Sequence, residues 1–90
     1  MTIYQLNWRP QLRRKLRDMP ASLRSEIAAI ILGLKEDPYP PNSAPLRRDL
    51  AHLRKIRTDG WRIIYQVKEA DRIVVIREIR PRNAHTYLNL

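Results

Sequence analysis

The chain of 90 residues contains no cysteine, which excludes disulfides and thiolate metal sites and is compatible with a reducing cytosol. Glycine occurs only at Gly33 and Gly60, so no glycine-rich loop is available to cradle a nucleotide phosphate. The only histidines are His52 and His85. No carboxylate cluster stands near either at ligand spacing, so neither a metal nor any other cofactor is expected. No apolar run approaches the roughly 18 residues of a membrane span, and the opening MTIYQLNWRPQLRRK lacks the apolar core of a signal peptide. These absences predict a soluble, cytoplasmic protein with no membrane partner. The length predicts one domain over residues 1–90, able to bury a single core.

Negative charge is also scarce. Against 9 acidic residues stand 18 Lys and Arg, a formal net charge of +9, and 14 of the 18 cations are arginine. Arginine offers a planar fork of donors that matches phosphate oxygens, so the bias favours a nucleic-acid partner over a merely solvated basic surface. An anionic membrane fits less well, because the cations do not gather on one long amphipathic helix opposite Trp, Phe and Leu.

The sequence is organised around Leu53 to Val67, LRKIRTDGWRIIYQV. Two runs rich in β-branched and aromatic residues flank Asp59-Gly60, a dipeptide suited to a tight turn, which predicts a β-hairpin. Strand side chains alternate between faces. If Ile56, Ile63 and Val67 point to the core, Lys55, Arg57 and Arg62 converge on the opposite surface. Such crowding costs stability and suits an anionic ligand; the plainer alternative is a set of cross-strand surface residues with none.

Before the hairpin, Thr2 to Trp8 suits an opening strand, and Leu12 and Leu16 give a short amphipathic helix from about Pro10 to Arg17, with Arg9, Arg13, Arg14, Lys15 and Arg17 on its remaining surface. That charge run reads most simply as a solvated face. From about Pro20 to Glu36, Leu23, Ile27, Ile30, Ile31 and Leu34 follow the spacing of a core-facing helix. Four prolines between Asp37 and Pro45 end it in an ordered loop that cannot join a central strand. Leu46 to Leu53 is ambiguous. After a turn at Ala70-Asp71, Arg72 to Ile79 is a strand apolar on both faces. The expected fold class is α+β, two N-terminal helices packed on one face of a small, mainly antiparallel four-stranded sheet in the order β-α-α-β-β-β, with the other sheet face open.

Taken together, the opening strand ending near Trp8, the segment LGLKEDPYP, Leu46 and Leu50, GWRIIYQV at Gly60 to Val67 and IREIRPRNAHTY at Ile76 to Tyr87 resemble the RelE/ParE superfamily of type II toxin-antitoxin toxins, over nearly the whole chain. The resemblance implies the microbial-RNase-like RelE fold and one of two activities. The RelE branch cuts messenger RNA in the ribosomal A site, blocking translation and arresting growth, as an mRNA interferase; the ParE branch inhibits DNA gyrase and lacks the basic cleavage set. Carried over by residue, the strand arginine is Arg62, the lysine of the preceding strand Lys55, the arginine after the last strand Arg82 (Arg80 if the register slips), and the C-terminal aromatic Tyr87. A second basic residue of RelE falls here on Leu53, with Arg54 adjacent and Arg57 two places after Lys55. His85 has no clear counterpart in RelE, although related ribosome-dependent nucleases carry a histidine near their terminal tyrosine.

The resemblance thus implies a metal-independent endoribonuclease with Lys55, Arg62, Arg82, Tyr87 and His85 as catalytic candidates and Arg54, Arg57 and Arg80 binding RNA. The arginines would stabilise the phosphorane, Tyr87 would orient or deprotonate the 2′-hydroxyl, and His85, which titrates near neutrality, would protonate the leaving oxygen. Tyr87 tying the tail to the core, His85 in a structural role and Arg82 paired with Glu78 are the simpler alternatives. The implied partners are the ribosome with its mRNA and a cognate antitoxin, expected to be acidic and partly disordered and to fold along a groove between the second helix and the sheet edge.

Overall fold

The structure, a computed structural model, describes residues 3–58 and 60–81. Two helices cover one face of a five-stranded sheet. Strand β1 (Gln5–Trp8) leads into α1 (Pro10–Arg17) and α2 (Ala21–Gly33), followed by β2 (Ser43–Pro45), β3 (Arg54–Arg57), β4 (Trp61–Lys68) and β5 (Ile73–Pro81). The spatial order is β1-β5-β4-β3-β2. β1 runs parallel to β5 and every other pairing is antiparallel.

Each element follows from its residues. Pro10, whose φ is preset for a helix, opens α1, which buries Leu12 and Leu16. In α2 the expected spacing holds: Ile27 and Ile31 are buried, Leu23 and Ile30 half-buried, and Leu34 is buried just past the helix end. The helix stops at Gly33, three residues before the expected end, and turns bonded from Lys35 N to Leu32 O and from Glu36 N to Gly33 O carry the chain on. The β3–β4 turn is closed by Thr58 N donating to Trp61 O at 2.8 Å, with Gly60 at φ 83°. That value needs glycine.

The sheet has one strand more than expected. The addition is β2, inside the proline-rich loop, where Ser43, Ala44 and Pro45 pair with Ile56, Lys55 and Arg54. Proline is tolerated there because β2 is an edge strand, with one side free of ladder bonds. Between the helices and the sheet, Leu12, Leu16, Ile27, Ile31 and Leu34 meet Ile56, Ile63, Tyr65, Val74, Ile76 and Ile79. Tyr65 is fully buried, and its hydroxyl donates to the Pro38 carbonyl at 2.8 Å, pinning the loop to the core.

Ile76 and Ile79, three apart, both face the helices although strict alternation would separate them. A bulge resolves this. Ile64 pairs with Glu78 but Tyr65 pairs with Ile76, which leaves Arg77 as the extra residue and shifts the downstream register by one. The opposite sheet face is only partly open. Leu46, Leu53 and Ile64, with half-buried Leu50, form a second small core there. Leu46 to Leu53 is the turn that builds it, through a 3-10 segment Arg48–Leu50 and a bond from Leu46 N to Leu53 O at 2.9 Å.

Candidate functional site: a basic face on β3, β4 and β5

Residues paired across neighbouring strands share a face. In register, Arg57 stands opposite Arg62, and Arg62 opposite Arg80. The next pairs on the same face of the sheet are Lys55 with Ile64, and Ile64 with Glu78. Four cations and one carboxylate therefore occupy two adjacent rungs on the face away from the helices. A cleft of about 410 Å³ opens there, lined by Leu46, Arg47, Leu50, Lys55, Arg57 and Arg62. The leucines of the second core form its apolar wall. The Arg80 guanidinium bonds Glu78 at 3.3 Å, and both side chains are largely covered, which steadies Arg80 beside Arg62.

Aligning three guanidinium groups across three strands is unfavourable without an anion, since like charges directly opposite repel. Here the repulsion is held by Ile56, Ile63 and Ile79, one residue away on each strand and at most 1% exposed. The arrangement brings three guanidinium groups to one rung, a density of positive charge that suits an anion such as phosphate.

Of the expected site residues, Lys55, Arg57, Arg62 and Arg80 come together. Arg54 does not. It pairs with Tyr65 on the helix side, donates to Ser43 Oγ at 2.8 Å and stacks 5.0 Å from the Tyr39 ring. The period-two alternation that separates Lys55 from Ile56 separates Arg54 from Lys55 as well. Leu53, where a basic residue stands in RelE, is buried in the second core. Arg82, His85 and Tyr87 lie outside the described residues. Glu78 and Arg47 belong to the basic face without having been singled out for it. Glu78, two residues before Arg80 on one strand, could have been placed by alternation; Arg47, in an irregular turn, carried no periodic signal.

A second polar group sits apart. Glu69 accepts from the Tyr4 hydroxyl at 2.8 Å and from the Tyr39 hydroxyl, while Arg72 donates to the Tyr4 oxygen at 3.3 Å. The hydrogen bonds from Tyr39 and Tyr4 hold the Glu69 carboxyl below its usual range. Burial first and the Glu69 carboxylate second push the Tyr39 phenol up to about 12, and the bond to Glu69 raises Tyr4. This clasp ties three segments distant in sequence.

Among the described residues no group of three or more His, Cys, Asp or Glu could hold a metal, and no helix is long and apolar enough to cross a membrane. The family model described as the ParE toxin of the type II toxin-antitoxin system parDE matches residues 6–84. The chain belongs to the ParE toxin family. Its fold is that of RelE-like toxins, and it is a toxin of the RelE/ParE superfamily of type II toxin-antitoxin systems. This ParE-family toxin resembles the RelBE2 toxin-antitoxin complex of Mycobacterium tuberculosis, with 25% identity over 89% of this chain and 99% of that one, at TM-score 0.75. It also resembles the archaeal RelE–RelB complex of Pyrococcus horikoshii, with 22% identity over 93% and 99% of the two chains, at TM-score 0.79. A third likeness is to the YoeB/ParE toxin of Agrobacterium tumefaciens, with 20% identity over 88% and 99%, at TM-score 0.74. No curated protein sequence matches the chain.

Proposed function

We propose that this toxin is a ribosome-dependent mRNA endoribonuclease that cuts without metal, attacking phosphorus with the 2′-hydroxyl. The observation that carries the reading is the gathering of Lys55, Arg57, Arg62 and Arg80 on one sheet face beside a cleft. In such a reaction the 2′-oxygen bonds to phosphorus as its proton leaves to a base. The 5′-oxygen then departs and takes a proton from an acid, leaving a 2′,3′-cyclic phosphate and a 5′-hydroxyl. Charge grows on the non-bridging oxygens meanwhile. Arg62 and Arg80, side by side, would bind those oxygens more strongly in the transition state than in the ground state, which is what lowers a barrier.

Lys55, one rung away, would hold the flanking phosphate. Arg82 would add a further donor at the phosphorane, and Tyr87 and His85 would move the two protons. The ribosome's part would be to present a kinked message, since in-line attack requires a geometry that a free strand seldom holds. A cognate antitoxin is the expected cellular partner, because the M. tuberculosis and P. horikoshii relatives were solved as toxin-antitoxin complexes. An acidic antitoxin segment would complement the +9 charge.

Gyrase inhibition is the second reading, favoured by the family description, parDE. It needs no phosphate-gripping rung. Primer extension on translated messages after a pulse of expression separates the two: cuts in register with codons are expected, and intact messages with induced DNA-damage signalling would replace the nuclease reading by the gyrase one.

A further inference from the structure

The basic face on β3–β5 accounts for only part of the charge. Five of the nine residues from Arg9 to Arg17 are cations and none is acidic. All five are exposed, and among the described residues none of them forms a salt bridge. Arg9 caps α1 without a side-chain hydrogen bond, and the first turn holds no acid, so Arg9 stands where the helix dipole disfavours a cation, whereas Arg14, Lys15 and Arg17 sit in the last turn, where it favours one. Arg13 and Arg17, one turn apart, repel each other further. One of these arginines is nevertheless fixed in place, and a further arginine joins the patch. Arg13 stacks on the Trp8 ring at 5.3 Å, and Arg24 on α2 donates to the Arg17 carbonyl at 2.9 Å, drawing its own charge to the same patch.

The patch and the cleft lie on opposite sides of the sheet. Leu12 and Leu16 set α1 in the core on the helix side of the sheet, whereas the cleft is walled by Leu46 and Leu50 of the core on the other side.

We infer that the outer face of α1, with Arg13, Arg14 and Arg17 at its centre, is a second nucleic-acid-binding surface that docks structured RNA, separate from the strand at the cleft. Two features favour RNA over a protein partner. The patch has no apolar anchor: the exposed large hydrophobic residues among those described are Ile3, Leu32 and Tyr39, none of them on α1. Protein interfaces need such anchors at their centre and are depleted of charge there, whereas phosphate contacts alone suffice to hold a nucleic acid. The cations are also predominantly arginine, the side chain suited to bidentate phosphate contacts. The inference rests on the nuclease reading only in naming the ribosome as the carrier of that RNA. On this view α1 sets how tightly the toxin engages the ribosome, and the cleft sets how fast it cuts.

The triple variant R13Q/R14Q/R17Q tests this, since glutamine keeps helix propensity and the positions are exposed; circular dichroism checks that it stays folded. Binding of the full chain to a labelled RNA hairpin is measured by anisotropy across a salt series. Cleavage of a message on programmed ribosomes is measured alongside. The expected result is an affinity for the hairpin at least about tenfold lower, with the salt slope reduced by about two to three. On ribosomes KM should rise while kcat holds. An unchanged hairpin affinity and slope would overturn the inference, as would a variant that loses antitoxin binding alone, which would give the face to the antitoxin. The anisotropy arm needs no cleavage, so a wild type that binds RNA through α1 but cuts nothing would sink the nuclease reading and leave this one standing.

Discussion

Two neighbouring rungs of the sheet differ by one residue on each of three strands. Ile56, Ile63 and Ile79 face the helices; Arg57, Arg62 and Arg80 face away. The first rung is shielded from water almost completely, and burial of each isoleucine contributes about 1.5–3 kcal/mol. The second sets like charges opposite one another at a cost. The difference shows how a domain this small assigns opposite duties to alternate positions of the same strands: one rung supplies the stability that the other spends.

Replacing Ile63 by alanine should have the largest effect, a loss of about 2–5 kcal/mol of stability from transfer and cavity together. Thermal or urea unfolding reads it, and a loss below about 1 kcal/mol would mean that the isoleucine rung is not what holds the arginines. On the proposed nuclease reading, Arg62→Ala should leave the protein folded but reduce A-site cleavage about 100- to 1000-fold, the usual consequence of removing one preorganised donor at a developing charge. A single-turnover assay with cleavage kept at wild-type level would break the division of labour outright.

The Tyr4–Glu69–Tyr39 clasp should respond to pH in both directions. Glu69 is held below its unfolded value, so its stabilisation is present above that value and lost as pH falls through the lowered one. Tyr39 is raised from 10.0 to about 12. Its contribution is therefore intact below pH 10 and lost as pH rises toward about 12. The effect should be modest, because Tyr39 remains 44% exposed, and Glu69→Gln should flatten the acid limb of a stability–pH curve. Smallest of all, Arg57→Thr should leave stability unchanged or raise it by a few tenths of a kcal/mol, by relieving the charge opposite Arg62. A clear loss would show that Arg57 is held by more than its neighbours' tolerance.

Periodicity carried most of the fold. The spacing of Leu23, Ile27, Ile31 and Leu34 located α2, and alternation about Asp59-Gly60 set Lys55, Arg57 and Arg62 on one side before any coordinates. What periodicity could not carry was pairing between distant segments. Nothing local in Ser43-Ala44-Pro45 announces a strand, because an edge pairing of three residues is decided by its partner β3. The contact of Tyr4 with Glu69, 65 residues apart, has no sequence signature either. Arg54 is adjacent to Lys55 in sequence, but alternation along β3 places it on the other face, opposite Tyr65. The bulge at Arg77 hid in a strand apolar on both faces, where no single face could fix the register.

The parallel pairing of β1 with β5 also bears on when the protein becomes dangerous. During synthesis β1 leaves the exit tunnel early and must wait for β5, the latest of the described strands, before it has a neighbour. Non-local pairing of this kind forms late. Arg80 meets Arg62 through the β4–β5 ladder, so the row of three arginines is complete only once the latest of the described strands has joined the sheet, and a toxin chain still lacking that strand has both its fold and its basic face unfinished.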